Sequence, residues 1–183
     1  VDNIKQTNPT LIDDLIPGTI SLGYLEKVLC LLLREGVPIR DMETILETLG
    51  DHAGALKDID IVTEYVRQAL KRTITRRFAE ANSLRVITVD PKVEDTIVAS
   101  VKKSDAGSYL AMDPDLIQKI VNITSGEIDK VKDVIPNVII LTSPIVRIYF
   151  KKLIDQFIPN ITVLSYSEID NTAQIQAIGN IAM

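Results

Sequence analysis

The sequence predicts two subdomains of different class: a helical one over residues 1–83, a bundle or winged-helix-like unit, and a small α/β sandwich over residues 84–183. Three observations predict this. Up to about residue 81, apolar residues recur at i, i+3, i+4 and i+7, and no strand stands out. From Arg85 onward, short β-branched runs alternate with helical stretches, the grammar of an α/β layer. Three of those runs also end in a capping residue followed by proline: Asp90-Pro91, Asp113-Pro114 and Ser143-Pro144. The texture changes at Asn82-Ser83, which places the boundary there.

Residues 1–6 read as the tail of a helix, and a chain that opens there on Val reads as a fragment of something longer. Asn8-Pro9 starts the next helix. Asparagine can cap the first N–H groups, and proline sits where its missing N–H costs nothing. Leu11, Ile12 and Leu15 form its apolar face, and Pro17-Gly18 stop it. Ser21 caps the second helix, whose main face carries Leu22, Leu25, Val28, Leu29 and Leu32. Residues 28–33 include no polar side chain, which predicts a helix central to its subdomain. Gly36 suits the left-handed residue that closes it. A third helix follows Pro38 on Met42, Ile45, Leu46 and Leu49, and residues 50–56 form a loop. The fourth helix, predicted to be the longest, starts at Asp58 or Asp60. It carries Val62, Tyr65, Val66, Ala69, Leu70 and Ile74 and ends among Arg72, Arg76 and Arg77, cations suited to the negative end of a helix dipole.

In the second half, residues 86–89, 109–112 and 138–142 read as strands, followed by helices over 91–103, 114–133 and 144–157. Residues 161–165 and 173–181 are the last strands. Tyr149, Phe150 and Phe157 lie on a periodic helix and are expected in the core.

A chain of 183 residues can bury a substantial core. Its formal net charge of −5 opposes a nucleic-acid role, because phosphate binding needs a basic surface. The acidic excess is spread over both parts: ten basic residues against thirteen acidic before Leu84, and ten against twelve from there on. One cysteine, Cys30, forms no internal disulfide and reads as a small core residue in a reducing compartment. No apolar run approaches the roughly 20 residues that span a bilayer.

Chemistry is sparse. His52, the single histidine, sits at a helix end without a recognisable nucleophile beside it. One His and one Cys cannot build a structural zinc site, and no EF-hand spacing occurs. Phosphate-binding glycine loops and the GxSxG elbow are missing, and Ser143 reads as a helix cap. No catalytic residue, metal site or cofactor is therefore expected. Two readings remain open from the residues alone. The two helices around Gly36 could form a helix-turn-helix DNA-binding regulator, although Glu43 and Glu47 on the would-be recognition helix suit a phosphate-lined groove poorly. Alternatively, the mixed charges Arg34, Glu35, Arg40, Asp41, Glu64 and Arg67 form a surface that pairs with a neighbour.

A resemblance decides between them. Leu33-Arg34-Glu35-Gly36-Val37, then Ile39-Arg40-Asp41, then Thr63-Glu64-Tyr65-Val66-Arg67-Gln68-Ala69-Leu70 resemble the cytoplasmic domain of the type III export gate family. Val163-Leu164-Ser165-Tyr166-Ser167-Glu168-Ile169 is similar to a further family stretch in the same order. Residues 84–137 match in pattern only. The stretches resemble the flagellar branch more closely than the virulence branch. The resemblance implies a non-catalytic docking and ring-assembly module at the cytoplasmic face of the bacterial inner membrane. It further implies that residues 1–83 and 84–183 correspond to the third and fourth cytoplasmic subdomains, with membrane contact only through an N-terminal part outside this chain. Implied partners are other gate subunits in a ring of nine, the stalk protein of the export ATPase, export substrates and chaperones, with no nucleic acid. The six charged residues are the candidate assembly surface, because the helical subdomain of the family contributes to ring contacts.

Overall fold

The computed structural model describes residues 9–183, so the helix tail at residues 1–6 and the Asn8 cap lie outside the described residues. The chain divides into two compact units between Arg77 and Phe78, and residues 78–83 belong with the second.

The first unit contains α1 (Pro9–Leu15), α2 (Leu22–Arg34), α3 (Met42–His52) and α4 (Ile59–Ala69), and α5 (Lys71–Phe78) carries the chain to the boundary. No strand precedes Ser83 among the described residues, so helix packing alone builds this unit. Side chains set the helix starts. Ser21 Oγ accepts the Tyr24 N–H (3.1 Å), Asp41 accepts the Thr44 N–H (3.3 Å) and hydroxyl (2.8 Å), and Asp58 accepts the Asp60 N–H (3.1 Å). α4 packs on α2 and α3, and α1 packs on α3. Leu25, Val28 and Leu32 of α2, Ile45, Leu46 and Leu49 of α3, and Val62 and Val66 of α4 are buried. Each such side chain contributes roughly 1.5–3 kcal/mol.

Gly36 closes α2 as expected. Its φ is +70°, its N–H donates to Leu33 O (3.0 Å), and the Val37 N–H reaches back to Leu32 O (3.0 Å). This is a Schellman ending, and the buried Val37 supplies the accompanying apolar contact position.

Two expectations about this unit are corrected. The apolar run 28–33 does not make α2 central. A helix turns 100° per residue, so only Leu25, Val28 and Leu32 reach the core, while Cys30 is exposed and Leu33 is 53% exposed. The fourth helix is not the longest and is not continuous. Leu70, at φ −85° and ψ 18°, leaves helical geometry and separates α4 from α5. Leu70, Ile74 and Thr75 stay buried beyond the break, while Arg72, Arg76 and Arg77 face water.

The second unit runs β1 (Ser83–Val89), α6 (Pro91–Ala99), β2 (Val101–Ser104), β3 (Gly107–Leu110), α7 (Pro114–Val131), β4 (Ile139–Thr142), α8 (Pro144–Asp155), β5 (Thr162–Ser165), a 3-10 turn (Tyr166–Glu168) and β6 (Gln174–Ile181). Four strands form a parallel sheet in the order β5-β4-β1-β6. The register aligns Ile87 with Ile140 and Ile140 with Val163. These residues join Val93 and Ile97 of α6, Ile120 of α7, and Val146, Phe150 and Ile154 of α8 in one core.

Here too the structure corrects details. The helix predicted over 91–103 ends at Ala99, where the Ser100 N–H returns to Ile97 O (3.0 Å) and its hydroxyl donates to Thr96 O (2.8 Å). Residues 101–104 instead pair antiparallel with Gly107–Leu110, outside the main sheet. Gly107, at φ +122°, makes the tight turn possible, and Ser104 Oγ closes it on Gly107 O (2.9 Å). Asp90 and Asp113 cap α6 and α7 as read, each accepting an N–H at 2.9 Å. Ser143 holds the cap position of α8 without a side-chain cap bond. Its N–H donates to Glu94 Oε1 of α6 (2.8 Å), so a carboxylate from another helix meets the positive end of α8. Phe157 lies past the end of α8 and is 47% exposed, unlike Tyr149 and Phe150.

Candidate assembly surface

The six charged residues divide into an outer and an inner set. Arg34, the last residue of α2, is exposed, as are Arg40 and the α3 cap Asp41. Neither Arg34 nor Arg40 forms an ion pair among the described residues. Glu64 and Arg67 of α4 are buried, at 7% and 1% exposure. Arg67 Nη1 lies 3.4 Å from Glu35 Oε2, just past the end of α2. This pair joins α4 to the turn that carries Arg34 and Arg40. The Glu35–Arg67 pair therefore ties the turn to α4, Arg34 and Arg40 stay exposed beside it, and Asp41 is engaged in capping α3.

Beside Arg34 lies a groove of about 460 Å³ between α2 and the start of α4. Leu31, Cys30 and Ile59 supply apolar lining, and Glu26, Lys27, Arg34 and Asp60 supply charges of both signs. Leu22 and Leu33 are exposed on the same helix. Sequence reasoning assigned these α2 residues to the core. The signal it overlooked is angular for Cys30 and Leu33, which lie off the stripe of Leu25, Val28 and Leu32, whereas Leu22 is on that stripe by spacing but is the first residue of the helix.

Tyr24 lies on α2 with its hydroxyl buried and unpartnered among the described residues. Burial, and then the nearby Asp58 carboxylate, raise its pKa, so the phenol stays neutral. His52 stacks on Tyr65 with ring centroids 4.2 Å apart and planes at 13°. This is a packing role at the end of α3. No group of three or more potential metal ligands occurs among the described residues, and no helix among them is long and apolar enough to cross a membrane.

A helical unit followed by a parallel α/β unit is an architecture shared with solved cytosolic domains of type III secretion export gates. The FHIPEP family model matches residues 1–174, and the chain belongs to this family of secretion export gates. It is 38% identical over 180 residues to flagellar biosynthesis protein FlhA of Bacillus subtilis, covering 98% of this chain and 27% of FlhA. It is 28% identical over 181 residues to invasion protein InvA of Salmonella typhimurium, covering 99% of this chain and 26% of InvA. Among solved structures, the Chlamydia pneumoniae CdsV protein aligns with a TM-score of 0.89 at 34% identity, over 99% of this chain and 52% of that one. The nonameric SctV-C of EPEC aligns with a TM-score of 0.86 at 29% identity, over 98% of this chain and 54% of that one. The chain thus spans about a quarter of the length of these curated relatives.

Proposed function

We propose that this chain is the ring-assembly and docking part of a flagellar type III export gate and carries out no catalysis. The carrying observation is the alignment of the whole chain, both units included, with a protein solved as a nonameric ring. In this reading residues 1–83 and 84–183 are the third and fourth cytoplasmic subdomains, held at the cytoplasmic face of the inner membrane by a part outside this chain. The higher identity to FlhA than to InvA favours the flagellar branch over the virulence branch. Its partners are other gate subunits, the ATPase stalk protein, export substrates and their chaperones. One solved neighbour, CdsV, was determined in complex with a second protein, CdsO; a comparable contact is part of this proposal. DNA binding is disfavoured because α3 presents Glu43, Glu47 and Asp51 to solvent, where phosphates would be repelled.

Arg34, Arg40 and Asp41, with the α2 groove, form the ring contact in this account. Arg40→Glu inverts an exposed charge without touching the core, so the fold should survive. The expected outcome is an unchanged melting temperature and a subunit contact weakened about tenfold, equivalent to about 1.4 kcal/mol, so that export by the full-length protein falls. Secretion of flagellar subunits into the medium measures it, and wild-type export would count against this surface.

A further inference from the structure

Strand β6 is one edge of the parallel sheet and pairs with β1 alone. Its residues, Gln174–Ile181, include no charge and no proline. The opposite edge, β5, is half as long and has Val163, Leu164 and Ser165 buried. Residues 174–177 of β6 are exposed, Ile175 at 43%, whereas Ile181 is buried in the core and anchors the far end. The Gln174 N–H donates to Asn82 O (3.0 Å), so its backbone points toward the β1 side. Peptide groups alternate along a strand, which turns the N–H and C=O of Ile175 and Ala177 away from β1. The register with β1 is regular over these residues and shifts only past Ala177. Native sheets blunt such an edge with lysine, proline, a bulge or a covering element, and residues 174–177 carry none of these.

We infer that the 174–177 edge of β6 is a docking site for an extended polypeptide segment, which adds a further strand to the sheet. Ile175 and Ala177 present donors and acceptors two residues apart, the spacing that a strand matches and a helix does not. Their side chains share one face, and Gln174 and Gln176 share the other, so the occupant alternates apolar and polar residues. Arg85, opposite Gln176 on β1, is paired with Glu80 (3.6 Å), so charge selects neither an acidic nor a basic segment and the backbone carries recognition. The exposed stretch is about 13 Å long. That footprint fits one strand, whereas a stable pair of proteins buries roughly 1,200–2,000 Å². The occupant is therefore a single segment and not a second copy of the chain. The site is read from the sheet edge alone, so it stands or falls separately from the ring assignment.

The test is amide hydrogen exchange by NMR on the 183-residue chain with the capped peptide Thr-Val-Thr-Val-Gln-Val. The peptide should slow exchange at Ile175 and Ala177 at least about tenfold and leave Gln174, already bonded to Asn82, unchanged. The same peptide N-methylated at every residue keeps its side chains, loses its donors and should protect neither site. Ala177→Pro removes an outward N–H without taking a bond from the β1 ladder, so it should keep the melting temperature and abolish protection at Ile175. Ile175→Lys, which keeps every backbone group, should also weaken binding. No protection up to about 5 mM peptide, equal protection by the methylated peptide, or undiminished binding to either folded variant would overturn the proposal. So would protection of the same amides that rises with protein concentration in the absence of peptide, which would make the edge a contact between copies.

Discussion

Arg147 and Glu168 show how far a single residue's role can stand from its sequence appearance. Arg147 Nε lies 3.3 Å from Glu168 Oε1, with both side chains sealed from water at 0% and 1% exposure. Arg147 also donates to Val163 O (3.1 Å), and Glu168 accepts the Ser165 N–H (3.4 Å). The pair therefore joins α8 to the end of β5. Removing one partner leaves a buried charge uncompensated, so Glu168→Leu or Arg147→Met should each cost about 3–5 kcal/mol in urea unfolding. Replacing both should cost clearly less than the two losses combined; full additivity would show that the charges do not act as a pair. The sequence held one faint sign of this. Arg147 occupies the same i, i+3, i+7 stripe as Phe150 and Ile154, where a cation needs an internal partner, but nothing in the sequence named Glu168. Tyr24 offers the opposite case, since its buried hydroxyl has no partner among the described residues. Tyr24→Phe should keep the ring packing and raise stability by about 1 kcal/mol. Destabilisation by a similar amount would mean that the hydroxyl is hydrogen-bonded after all.

At the scale of elements, local chemistry was legible where side chain and backbone act within a few residues. Ser21, Asp90 and Asp113 start helices where their types predict, Asp58 is the one of the two candidate starts that caps α4, and Asp41, read only as a surface charge, caps α3. Gly36 ends α2 for a conformational reason visible in sequence, so Gly36→Ala should cost about 1–2 kcal/mol through its φ of +70°. A loss below a few tenths in thermal or urea unfolding would remove that account of the α2–α3 turn. Elements defined by distant partners were less legible. The α4–α5 break at Leu70 lies inside a continuous apolar stripe, with no Gly or Pro to mark it. The β2 strand reads Val-Lys-Lys-Ser, too polar to signal a strand, and exists because β3 pairs with it. Ser143 carries the local signature of a cap, yet Glu94, 49 residues away in sequence, takes its N–H.

At the scale of the molecule, the two-class organisation followed from a change of period in the sequence, which propensity and pairing both obey. The candidate surface was only half legible. Charge pattern singled out six residues but could not distinguish Arg40, which meets solvent, from Arg67, which is buried against Glu35. A cation's burial depends on which helix face meets the core, and on α4 that face takes in Thr63, Glu64 and Arg67 beside Val62 and Val66. The Glu35–Arg67 pair ties the turn to α4, Arg34 lines the neighbouring groove of mixed charge, and Arg40 is exposed. The most direct test is the mass of the complete cytoplasmic domain in solution, wild type against Arg40→Glu, across a dilution series at matched melting temperature. The account predicts ring-sized assemblies for the wild type and a shift to smaller species for Arg40→Glu at concentrations about tenfold higher. Identical assembly of the two proteins at every concentration would contradict it.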